Sequence, residues 1–196
     1  MKKSANTHQI ELNRRKEAVA NNPGSPDAHF KLGTALIQVG FLSEGQASLE
    51  KALELDPDRV DAWVNLGGAR LGRWDFVGCI EANQQALDRK PELMRAYFNQ
   101  GLAYMYLGDA EKMHACFERV LQLEPASAGG HYHMAVALQA RGQSEQAKVF
   151  LARATGLGYS PDPNFLKAME QEAEKGSSPV QILEVGPEPD KQDEEE

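Results

Sequence analysis

Apolar residues along this chain fall in helical stripes, and the stripes themselves recur. From Pro26 to Pro161 the pattern returns every 34 residues without an insertion, giving units that begin at Pro26, Val60, Met94 and Ala128. Each unit reads as two helices about a short turn. In the first helix the large or close-packing residues stand three and four apart, as in Trp63, Leu66, Gly67 and Arg70, or Tyr97, Gly101 and Tyr104. Turn signals follow at Gly40, Gly108 and Gly142, with Trp74-Asp75 in the second unit. A second helix then runs to Pro57, Pro91 and Pro125, where proline cannot continue it. A period of this size means that each unit buries its apolar face against its neighbours, so the expected fold is a stack.

The eighth place of each unit is small: Gly33, Gly67, Gly101 and Ala135. Glycine inside a helix costs propensity, so its use here predicts a close approach of two helix backbones. The register extends beyond the four units. Arg14 to Pro23 fits a second helix, making residues from about 8 to 21 half a repeat that caps the amino end. Asp162-Pro163 is an N-cap followed by proline at the first helical place, and a helix from Asn164 to Lys175 should turn Phe165, Leu166 and Met169 inward. The sequence thus divides into 1–25 (extension and half-repeat), 26–161 (four repeats), 162–175 (capping helix) and 176–196 (an acidic tail expected to be disordered). Gly129-Gly130 is the weakest expected join, since two glycines open a helix there.

These positions resemble the tetratricopeptide repeat family. Its pattern wants a bulky residue at place four, Leu at seven, Gly or Ala at eight and a large residue at eleven. It then wants a small residue at twenty, a bulky one at twenty-four, Ala at twenty-seven and Pro at thirty-two. The first unit supplies His29, Leu32, Gly33, Leu36, Gly45, Leu49, Ala52 and Pro57. The later units match in phase, with departures at Arg70, Asn83, Gln100 and Tyr159. The resemblance implies an all-α, right-handed superhelical α-solenoid of about ten helices, whose first helices line a concave groove. It implies that the groove is faced by places two, five, six, nine, twelve and thirteen.

Read onto this chain, place five gives Phe30, Val64, Phe98 and Tyr132, an apolar residue each time. Lys31, Asn65, Asn99 and His133 stand at place six, Asp27, Asp61 and Arg95 at place two, and Leu102 at place nine. The partner-binding residues expected are therefore Phe30, Lys31, Val64, Asn65, Arg95, Phe98, Asn99, Leu102, Tyr132 and His133. Such a groove suits a peptide with apolar anchors held by a few polar contacts. One subclass of the family clamps a terminal carboxylate with lysines and asparagines. Here its positions hold Phe30, Thr34, Asn65, Arg95 and Asn99, and two of the five, Asn65 and Arg95, agree with it.

Charge and chemistry narrow the reading further. The net charge of the 196 residues is −8, and 41% of them are hydrophobic. Residues 176–196 hold seven acids and Lys191, or −6, which leaves −2 for the rest. No basic stripe suggests nucleic acid. The opening Met-Lys-Lys-Ser lacks a following apolar run, and no stretch suits a membrane span, so a soluble, cytoplasmic protein is expected. Cys79 and Cys116 sit among apolar helical neighbours and read as packed thiols. His131 and His133, two apart on a helix, point to different faces and make a poor metal pair. No phosphate loop or nucleophile elbow occurs, so no catalytic residue, metal or cofactor is assigned. The expected function is a non-enzymatic protein-interaction module. Its alternative is a self-assembling subunit, a homo-oligomer joined through repeat ends or swapped terminal helices. The island Val180, Ile182, Leu183 and Val185 inside the acidic tail reads as a docking motif.

Overall fold

A computed structural model describes the backbone of residues 2–175 and the side chains of residues 9–171. Among the described residues there are ten α-helices and no strand. They are α1 (Lys2–Asn21), α2 (Pro26–Gln38), α3 (Leu42–Leu55), α4 (Val60–Gly72), α5 (Phe76–Arg89), α6 (Met94–Tyr106), α7 (Ala110–Leu123), α8 (Ala128–Ala140), α9 (Ser144–Gly156) and α10 (Pro163–Lys175). Helices α2 to α9 form four antiparallel pairs, each packed on the next, in a right-handed superhelical α-solenoid. α1 starts at Lys2, earlier than the half-repeat near residue 8. The tail 176–196, with the Val180–Val185 segment, lies outside the described residues.

Local chemistry sets the helix starts. The Ser25 hydroxyl accepts from the Ala28 N–H (3.2 Å), Asp75 from Gly78 (2.9 Å), Asp109 from Lys112 (3.0 Å) and Ser127 from Gly130 (3.2 Å). Ser127 thus anchors the double-glycine start of α8. Gly130 is needed there as well, because a Cβ would come within 3.0 Å of the Val120 side chain on α7.

The small residues at place eight are where paired helices meet. A Cβ on Gly33 would stand 2.8 Å from the Gly45 carbonyl, and one on Gly101 2.7 Å from the Phe117 ring. The tightest case is Gly67, where a Cβ would lie 2.1 Å from the Asn83 amide nitrogen. Around these crossings the core is fully closed over Leu49, Leu66, Phe117, Val120 and Leu138.

Each turn between paired helices needs one left-handed residue. Gly40 (φ 90°), Gly108 (φ 73°) and Gly142 (φ 73°) supply it in three units. In the second unit the same place holds Trp74 at φ 63°. A bulky side chain there is a true outlier.

α10 continues the series of first helices. Its Phe165 ring meets Tyr132 of α8 edge-on at 5.5 Å, and its Met169 joins the core with Met134 and Leu138. α10 therefore runs parallel to α8 and covers the end of the stack, as solenoids require.

Candidate functional site

The concave face is built by α2, α4, α6 and α8. Between the first three of these lies a hollow of about 260 Å³ lined by Phe30, Asp61, Val64, Asn65, Leu93 and Arg95. Four of the residues expected at the groove meet here: Phe30, Val64, Asn65 and Arg95. Leu93 was not among them. It precedes α6 as its N-cap residue, a position that falls in the linker between units and outside the place-counting of the first helices.

The charges in and beside this hollow are not equivalent. Asp27 takes Lys31 Nζ at 2.6 Å and Arg59 at 2.9 Å, and its hydrogen bond with Lys31 holds the carboxyl below the ordinary aspartate value. Arg59 also lies over the Phe30 ring, 4.3 Å from its centre. Lys31 is thus engaged within its own helix. Asp61 and Arg95 form neither an ion pair nor a hydrogen bond among the described residues, and both are exposed.

The amides are turned inward. Asn65 Nδ2 donates to Thr34 Oγ1 at 3.0 Å. Asn99 Nδ2 donates to Asn83 Oδ1 at 3.2 Å and to the Val64 carbonyl at 3.5 Å. Asn83 in turn donates to the Cys79 carbonyl at 2.8 Å, and Gln100 Nε2 to the Ile80 carbonyl at 3.2 Å. The polar departures at places seven and twenty-four are therefore satisfied by one another and by backbone. Burial pushes the Cys79 thiol up to about 12 and Cys116 likewise, so neither is a nucleophile.

Other expected groove residues pack within the stack. Asn99 and Tyr132 are buried, as is all but a small part of Val64 in the floor of the hollow. Phe98 meets Phe117 edge-on at 5.3 Å and His133 at 5.5 Å. His133 stacks on Phe117 at 5.0 Å, its Nδ1 is buried without a partner, and burial pushes its imidazole down to about 4. Tyr132 stacks on Tyr159 at 4.5 Å. The cause is common: successive first helices sit close enough that places five and six on one touch the next. Leu102 is half-buried against the same cluster. The open part of this face is therefore the hollow beside α2, α4 and α6. No group of His, Cys, Asp or Glu that could hold a metal ion occurs among the described residues, and no described helix is long and apolar enough to cross a membrane.

Comparison with known proteins agrees with this geometry. Tetratricopeptide repeat profiles match residues 30–93 and 95–127. Among curated proteins, the chain is 22% identical over 146 residues to the human protein O-mannosyl-transferase TMTC3, covering 72% of this chain and 16% of that protein. It is 30% identical over 91 residues to the peroxisomal targeting signal receptor of Candida albicans, covering 46% and 15%. It is 27% identical over 75 residues to Hsp70-Hsp90 organizing protein 2 of Arabidopsis thaliana, covering 38% and 13%. The matched stretch is thus less than a fifth of each relative's length. Among solved structures, a crystal structure of MamA superposes with a TM-score of 0.72 at 21% identity, over 88% of this chain and 95% of that one. MamA from Desulfovibrio magneticus RS-1 gives 0.72 at 21% identity, over 76% and 85%. With the period, the paired helices and the profile matches in agreement, the chain belongs to the tetratricopeptide repeat family.

Proposed function

We propose that this protein is a non-enzymatic interaction module that holds an extended peptide segment of a protein partner in the hollow between α2, α4 and α6. The observation that carries the proposal is the pair Asp61 and Arg95: two exposed, unpaired charges of opposite sign that line one hollow with the apolar residues Phe30, Val64 and Leu93. A peptide with an apolar anchor seats that anchor on the floor and brings a carboxylate to Arg95 and a cation or backbone N–H to Asp61. The names of the curated relatives, a targeting-signal receptor and a chaperone organizer, support a role in recognising other proteins. The two free, buried thiols support a cytoplasmic setting.

Selection of a random peptide library on the immobilised chain tests this. Enriched peptides should share an apolar residue flanked by an acid, and Arg95→Glu should weaken them about tenfold, with a larger effect at low salt. Glu81→Lys on the outer face should leave binding unchanged. If Arg95→Glu binds as well as the parent and Glu81→Lys does not, the hollow is not the site.

A further inference from the structure

A second surface lies along the edge of the solenoid formed by the turns between paired helices. Trp74, Phe76 and Tyr106 form one aromatic cluster there. Phe76 and Tyr106 stack at 4.8 Å, and Trp74 meets them edge-on at 5.8 and 5.2 Å. The cluster is open to solvent: Trp74 is 41% exposed, Tyr106 46%, Leu107 48% and Val77 59%. Leu42 packs toward Gly72 and carries the apolar line on to exposed Phe41 in the first unit. The fourth turn, Arg141-Gly142-Gln143, is polar. The edge is thus apolar over three units and ends at the fourth.

Trp74 makes this surface unusual. It occupies the left-handed turn place that the other three units give to glycine. A strained side chain kept at a solvent-facing turn points to a use for that side chain.

The direction of α10 says what lies nearby. α10 runs parallel to the first helices, so its last residue, Lys175, stands at the same end of the stack as Arg73, Leu107 and Arg141, each at or just past the end of a first helix. Lys175 therefore stands at the apolar edge, at the opposite end of the first helices from the hollow, which lies near the starts of α4 and α6. Successive first helices are about 10 Å apart, which puts Tyr106 about 20 Å and Trp74 about 30 Å from the end of α10. Extended chain covers about 3.4 Å per residue, so Val180 reaches about 17 Å and Val185 about 34 Å from Lys175. The apolar island of the tail spans that interval. Arg73, beside Trp74, donates to Gln46 Oε1 at 2.7 Å and has no carboxylate partner among the described residues, whereas the island carries Glu184.

We infer that the segment Val180–Val185 docks on the aromatic edge of its own chain, with Ile182 and Leu183 on the Trp74–Phe76–Tyr106 cluster and Glu184 toward Arg73. The proposal is independent of the groove reading, since it uses a different face and no partner.

Tryptophan fluorescence of the full chain tests it. Trp63→His removes the other indole, and histidine already fills that place in two units, so Trp74 becomes the single reporter. In this background, Ile182→Asp with Leu183→Asp should red-shift Trp74 emission and raise its acrylamide quenching about twofold, with unchanged helicity. Arg73→Glu should give a smaller shift in the same direction. Identical emission and quenching in the parent and the doubly substituted chain overturn the inference. A difference that disappears when the parent is diluted also overturns it, because the edge then belongs to a contact between copies.

Discussion

The indole Nε1–H of Trp63 donates to the Pro57 carbonyl at 2.8 Å. His29 bonds Pro23 and His131 bonds Pro125 in the same way, each at 2.9 Å. A carbonyl has no proton to give, so both imidazoles carry theirs on Nε2. In three units, therefore, the bulky residue at place four ties a first helix to the proline that ended the helix before it. In the third unit Tyr97 is instead covered by Arg119, whose guanidinium lies 5.5 Å from the ring centre. Trp63→Phe should cost at least about 1 kcal/mol for the lost bond, and Tyr97→Phe only a few tenths. Urea unfolding of both variants checks this, and equal costs would refute the tie.

Gly67→Ala should reverse the usual helix rule. Alanine normally favours a helix by about 1 kcal/mol over glycine. Here the new methyl would lie 2.1 Å from the Asn83 amide, which is fully buried and bonded to Cys79 and Asn99. A net loss of about 2 kcal/mol or more follows. Asn83→Ala in the same chain should recover part of it, giving a coupling energy in a double-mutant cycle. Additive costs would mean that the two residues do not compete for the space.

Trp74→Gly should be more stable than Trp74→Ala by about 1 kcal/mol. Both lose the ring contacts to Phe76 and Tyr106, so the difference isolates the cost of a side chain at φ 63°. Thermal melting of the two variants decides it. Equal stability would mean that the turn relaxes to another conformation.

His133 should make the protein acid-sensitive. Its neutral imidazole fits between Phe98, Phe117 and Tyr132, and burial pushes it from 6.5 down to about 4. The unfolded chain then binds the proton first, so stability falls as pH drops through 6.5 and levels off below about 4. The full loss is about 3 kcal/mol. Asp27, whose carboxyl is held below its ordinary value of 3.8, loses its contribution only at lower pH, so the two windows separate. His133→Phe should flatten the denaturation midpoint between pH 6.5 and pH 4; an unchanged slope assigns the acid response elsewhere.

The helices and their pairing were legible in the chain. A period of 34 residues, glycine at place eight and proline at place thirty-two specify repeated local structure, because each acts within a few residues or on the nearest unit. Which groove residues remain open was a different matter. Val64 and Asn65 are neighbours in the same stripe, yet one is buried and the other half-exposed. Whether Lys31 or Arg95 is a free cation depended on Asp27 and Arg59, residues that meet only when α2 and α4 pack. His133 read as a polar groove residue and became part of an aromatic core, because α8 carries it onto Phe117 of α7. Local signals decide helix, turn and period through short-range sterics and backbone hydrogen bonding. Exposure, charge pairing and the imidazole's protonation depend on the spacing between helices, and only the tertiary structure sets that.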